Sequence, residues 1–146
     1  MDALCVLVVD DDEDIRQVTR ELLESAGYRV AEARSVEGTL HFLATSAAPL
    51  VVLLDFLLPP DDATPVLHYL VTHPQVAARC AVITFPATPS LLTPEYTALA
   101  EHLGAPSVAK PFDLDTLLAA VAERAAGLRQ RGAMRAVHAA ALPSAS

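Results

Sequence analysis

Short apolar runs at residues 4–9, 50–54, 81–83 and 106–109 each stop at residues with chemistry: Asp10-Asp11-Asp12, Asp55, Thr84 and Lys110. Between them lie longer stretches whose apolar positions recur every three or four residues. Ile15, Val18, Thr19, Leu22, Leu23 and Ala26 make one stripe, and Leu40, Leu43 and Ala44 a second. Val66, Leu67, Leu70 and Val71 make a third, and Leu114, Leu117, Leu118 and Val121 a last one. That spacing predicts amphipathic helices, whereas short continuous apolar runs predict strands buried on both faces. Residues 28–33 alternate enough to be an edge strand, so the chain reads as five alternations of strand and helix with no internal repeat.

Local punctuation supports this order. Asp12 or Glu13 and Ser35 are suited to cap the first two helices, and Gly27 to end the first in a left-handed turn. Thr64-Pro65 reads as a cap followed by proline at the first helical position, with His73-Pro74 ending that helix. Thr93-Pro94-Glu95 opens a helix that reaches Gly104, and Asp113 caps the last one. Leu58-Pro59-Pro60 reads as a stiff extended loop, because the residue before a proline avoids the helical region. A proline-rich passage fills residues 86–93.

In a doubly wound parallel sheet the carboxyl ends of all strands open onto one edge. The four run ends therefore converge into one site with at least three carboxylates, a hydroxyl and an ammonium group, suited to a divalent cation and a phosphoryl group. Lys110 is the one lysine among ten cationic side chains. Where generic positive charge sufficed the chain used arginine, so Lys110 suggests a need for a compact point charge.

Composition narrows the function classes. A chain of 146 residues fits one domain. A formal net charge of −8 argues against nucleic acid as a direct partner. Cys5 and Cys80 fall in predicted strands and read as reduced, small hydrophobes. No apolar run approaches the roughly 18 residues of a membrane span, and Met1-Asp2-Ala3 is unlike a signal peptide, so a cytoplasmic location is expected. His41, His68, His73, His102 and His138 show no metal-ligand pairing. From about Arg124 the composition shifts to alanine and arginine with Gly127 and Gly132 interrupting. The expected division is a domain at 1–123 and, at 124–146, a fraying extension of the last helix followed by a disordered end. A second use for that tail, docking on an acidic partner or a second copy, leaves a homodimer open.

Val8-Val9-Asp10-Asp11-Asp12, Asp55 followed by Leu58-Pro59 and Asp62, Ile83-Thr84 and Lys110-Pro111-Phe112 stand in the order and at roughly the spacing of one family. Over about residues 4–122 the chain resembles the receiver domain of bacterial two-component response regulators. The resemblance implies a flavodoxin-like α/β fold, a doubly wound five-stranded parallel sheet of strand order 2-1-3-4-5 with five helices. It implies a signalling domain rather than an enzyme, with Asp55 accepting a phosphoryl group from a histidine kinase or phosphotransfer protein. Magnesium would be held by Asp11 and Asp55 directly, by the backbone carbonyl of Leu57, and by Asp10 mostly through water. Thr84 and Lys110 would bind phosphoryl oxygens. The signal would pass to a protein target through the face of the fourth helix, fifth strand and fifth helix.

The chemistry of the residues agrees with that implication. Three carboxylates crowded at adjacent strand ends repel one another unless a cation sits among them, and magnesium binds through few carboxylates while bridging to phosphate oxygens. A carboxylate attacking phosphorus forms an acyl phosphate. Three positions depart from the family pattern. Phe85 follows Thr84 where a small residue is usual, and its ring is expected to crowd the entrance. Ser107 stands where an aromatic residue commonly moves with the threonine. Ala63 replaces the glycine usual after Asp62. The rival reading is therefore a non-phosphorylated, receiver-like interaction module with an atypical pocket. A magnesium-dependent phosphatase fits less well, because Leu57 stands where such enzymes place a second aspartate.

Overall fold

The structure, a computed structural model, describes residues 4–85, 92–108 and 113–141, with 132–141 as helical backbone alone. Strands β1 (Cys5–Val9), β2 (Arg29–Ala33), β3 (Leu50–Asp55) and β6 (Cys80–Phe85) form one parallel sheet in the order β2-β1-β3-β6. Helices α1 (Glu13–Ser25), α2 (Val36–Thr45), α3 (Thr64–Thr72), α4 (Pro74–Ala77), α5 (Pro94–His102) and α6 (Leu114–Ala141) complete the described fold, with β4 (Leu57–Leu58) and β5 (Asp61–Asp62) as a small hairpin.

Both sheet faces are apolar because successive strand residues point to opposite sides. Leu7, Val9, Val52 and Leu54 pack with Leu43, Leu67, Leu70 and Tyr96 on one face. Val8, Leu53, Ile83 and Phe85 pack with Leu23, Leu117, Val121 and Leu128 on the other. Strand β2 lies at the sheet's edge with Arg29 and Glu32 exposed, in keeping with its weaker alternation. Gly27 ends the first helical segment at φ 96°, a conformation that side-chain-bearing residues rarely adopt.

Several expectations are corrected by the backbone. The described sheet has four strands rather than five. Where the fifth was expected, Ser107 makes one isolated bridge to Thr84: Thr84 N–H donates to Pro106 O and Val108 N–H donates to Thr84 O, both at 2.9 Å. Pro106 has no N–H, so the ladder cannot continue in its direction, while Ala109 lies outside the described residues. Six helices are described rather than five, because His73-Pro74 ends α3 and immediately starts the short α4. Thr64 is the first residue of α3 and makes no side-chain cap; the Asp62 carboxylate accepts its N–H at 2.8 Å instead. The expected stiff loop is the turn of the β4–β5 hairpin, with a cis bond between Pro59 and Pro60.

Helix α6 runs unbroken for 28 residues, about 42 Å, despite Gly127 and Gly132. Ala125 is fully buried and Leu128 is 3 % exposed, so the packed core extends past residue 123. Residues 142–146, expected as a disordered end, lie outside the described part, as do 86–91 of the proline-rich passage. Among the described residues no helix is long and apolar enough to cross a membrane.

Candidate functional site

Strand register assembles the site. Val9 lies opposite Leu54, and Leu54 opposite Thr84, so Asp10 and Asp55 leave adjacent central strands at one level with Phe85 beside Asp55. One ligand oxygen from each of Asp10, Asp11 and Asp55 lies within 4.8 Å of the others. Asp10 and Asp55 are buried and Asp11 is exposed.

The three consecutive aspartates have different tasks. Asp12 is spent as the cap of α1, accepting the N–H groups of Asp14 at 2.9 Å and Ile15 at 3.2 Å. That orientation turns it from the cluster and leaves Asp10 and Asp11 beside the helix amino terminus, whose partial positive charge favours carboxylates. Asp10 Oδ1 accepts the Asp12 N–H at 2.9 Å, and the Asp10 N–H donates to Ala33 O at 3.1 Å. Arg16, held by Glu32 at 3.2 Å, donates to the Asp10 carbonyl at 2.6 Å. The turn carrying the carboxylates is therefore fixed from both sides.

This donor set fits a hard cation. To share one magnesium ion the carboxylate oxygens would draw together from separations that now reach up to 4.8 Å. Leu57, whose backbone carbonyl is the remaining candidate ligand, sits in β4 two residues beyond Asp55. Lys110 lies outside the described residues. Thr84 is fully buried, its Oγ1 3.0 Å from Ser107 Oγ and 3.3 Å from Pro106 O. The structure therefore joins Thr84 to Ser107, a pairing that neither residue announces in the sequence.

The Phe85 ring is 5 % exposed and packs into the core on the α6 side of the sheet. It also lines a cavity of about 20 Å³ shared with Asp10, Asp55, Thr19 and Leu117, room for about one water. The ring thus stands beside the acceptor as part of the core.

Nothing in the sequence singles out Tyr96. Its spacing with Ala100 on α5 reads as ordinary core, and only the tertiary structure places it against the site. It is 2 % exposed, stands edge-on to Phe56 with ring centroids 4.7 Å apart, and its buried hydroxyl completes no hydrogen bond among the described residues. Burial pushes the phenol well above its ordinary range; Thr84 beside it works against this, while the negative charges of Asp55 and Asp62 add to it. An unsatisfied buried hydroxyl costs about 1–3 kcal/mol.

The sequence profile of the response regulator receiver domain matches residues 6–122. No curated protein matches the chain. Among solved structures, a receiver domain from Methanospirillum hungatei is 22% identical with a TM-score of 0.76, covering 86% of this chain and 97% of its own. The chemotaxis protein CheY4 of Vibrio cholerae is 24% identical with a TM-score of 0.69, covering 84% of this chain and 98% of its own. The receiver domain of a Francisella response regulator is 25% identical with a TM-score of 0.68, covering 83% of this chain and 95% of its own. The structural likenesses show a CheY-like, flavodoxin-like parallel fold. With the profile spanning most of its length, the chain belongs to the response regulator receiver domain family, the signalling domains of two-component systems.

Proposed function

We propose that this chain is a phosphorylatable receiver that takes a phosphoryl group on Asp55 with magnesium and passes the change to a protein partner, its receiver unit being residues 1–123 with 124–146 as an extension. The observation that carries this reading is the gathering of Asp10, Asp11 and Asp55 within 4.8 Å at the carboxyl ends of two central strands. An Asp55 oxygen attacks the phosphorus of the donor, the bond from phosphorus to the donor's nitrogen or oxygen breaks, and the leaving group departs with that electron pair. Asp10, Asp11, Asp55 and the Leu57 carbonyl would hold magnesium, which supplies charge neutralisation for the incoming phosphoryl oxygens. Thr84 donates to one of those oxygens and Lys110 pairs with another. Half-exposed Ile15, Val18 and Leu114 rim a groove of about 280 Å³ between α1 and α6, next to the acceptor, and suit the apolar face of a histidine kinase or phosphotransfer protein. The output face is that of α5, residues 106–108 and α6.

The test is incubation with magnesium and acetyl phosphate, read by intact mass. The wild type is expected to gain one phosphoryl group, Asp55→Asn none, and Asp11→Ala little because its metal affinity falls. A chain that gains no mass while folding normally would overturn the phosphoacceptor reading in favour of a receiver-like interaction module.

A further inference from the structure

At the amino-terminal end of β6, away from the candidate acceptor, lies a second pocket of about 280 Å³, close to the lower end of the range usual for small-molecule sites. It is lined from α3, α4, the start of β6, the end of α5 and the extension of α6. Leu70, Val71, Val82 and Leu103 give it an apolar body, while His102 and Arg131 bring nitrogen donors. No aspartate or glutamate among the described residues lines it, in a chain with 18 acidic side chains.

The positive charge beside this pocket is not neutralised by the described residues. Arg131 donates to the Cys80 carbonyl at 3.3 Å, a single bond from a guanidinium that carries several N–H donors. Arg79, next to Cys80, spends its donors on the backbone carbonyls of Leu43, Ser46 and Gln75. Arg124, about two turns before Arg131 along α6, keeps a buried Nε without a hydrogen bond. Ion pairs among the described residues involve Arg16 and Arg20 alone, so none of these three arginines forms one. Burial disfavours the charge on Arg124 and the nearby Arg131 adds to this, with Glu123 offsetting only part.

A cap on one sheet-edge carbonyl occupies one N–H. A guanidinium set against an apolar wall with further donors uncommitted is instead built to take a carboxylate, which its planar fork matches. We infer that this pocket binds a small amphipathic carboxylate, its apolar chain against Leu70, Val71, Val82 and Leu103 and its head on Arg131, with His102 as a second donor. A ligand so held ties the extension of α6 to β6 and gives Arg131 a counter-ion. The site is independent of Asp55 and stands or falls apart from the phosphoacceptor reading.

The test titrates the full chain with octanoate and with 1-octanol, followed by amide shifts, as wild type, Arg131→Gln and Arg131→Lys. Octanoate is expected to give saturable shifts confined to the surroundings of Leu70, Val82 and Leu103, and octanol to bind about tenfold more weakly for want of the charge. Arg131→Gln keeps a donor for the Cys80 carbonyl but removes the charge, so it should weaken octanoate about tenfold and leave octanol unchanged. Arg131→Lys should recover most of the loss. The comparison of the two ligands on the wild type needs no variant, so it decides the question even if Arg131→Gln folds poorly. Shifts that do not saturate or that spread over the surface overturn the site, and octanol binding as tightly as octanoate overturns the carboxylate. Shifts at the same residues that grow with protein concentration, with octanoate without effect, would assign the pocket to a second copy of the chain and overturn the proposal.

Discussion

Replacing Phe85 with alanine tests whether the ring is core or gate. The ring is 5 % exposed and belongs to the cluster with Ile83, Leu117 and Val121. Truncating a buried phenylalanine costs about 3–5 kcal/mol, the cavity left behind supplying part of it. Here the hole would join the cavity of about 20 Å³ that already reaches Asp10 and Asp55, so water can enter, and the low end, about 3 kcal/mol, is expected. For a chain of this length that corresponds to about 9 °C in melting temperature. Phe85→Leu keeps most of the volume and should cost about 1 kcal/mol. Urea unfolding followed by circular dichroism gives the two losses, and the midpoint should move without a change in slope. Phosphorylation and dephosphorylation rates on the same samples should stay within about threefold of wild type, because the ring packs sideways into the core. A loss below about 1 kcal/mol with both rates accelerated severalfold would refute the core assignment and make the ring a gate.

Leu128→Ala, at a side chain 3 % exposed on the portion of α6 beyond residue 123, should cost about 2–3 kcal/mol in the same unfolding assay; no loss would mean that the extension does not help hold the domain together. Burial pushes the Cys80 thiol up to about 11 from 9.0 and raises the Tyr96 phenol as well. Both groups hold their protons longer in the folded chain, so the folded state binds more protons above pH 9. Stability should therefore be flat near neutrality and fall as pH rises from about 9 through about 11. Melting temperatures measured from pH 7 to 11 check the sign, and a rise with pH would contradict it. Thiol labelling of Cys80 at pH 8 should be slow for the same reason.

Much of this molecule is legible in its amino-acid sequence. Continuous apolar runs ending in aspartate and threonine are legible because a parallel strand is buried on both faces and its chemistry collects at one end. The stripes from Ile15 to Ala26 and from Leu114 to Val121 are legible because a helix must bury one face. Asp10, Asp11 and Asp55 follow from those two facts together with the order of the sheet.

What the sequence could not supply depends on register and on side-chain direction. Pairing Val9 with Leu54 is what brings Asp10 level with Asp55, and no local pattern encodes that register. The division of labour among three adjacent aspartates is set by Asp12 accepting the α1 amides, a matter of side-chain direction. Pro106 stops the ladder before Ser107, leaving one bridge among the described residues, because a missing N–H matters only once its partner strand is known. Phe85 is the register partner of Asp55, and only the packed fold shows its ring both in the core and lining the small cavity beside Asp10 and Asp55. Tyr96 lies twelve residues beyond Thr84 in the chain, and packing of α5 onto the sheet, a long-range event, is what sets its hydroxyl beside the threonine.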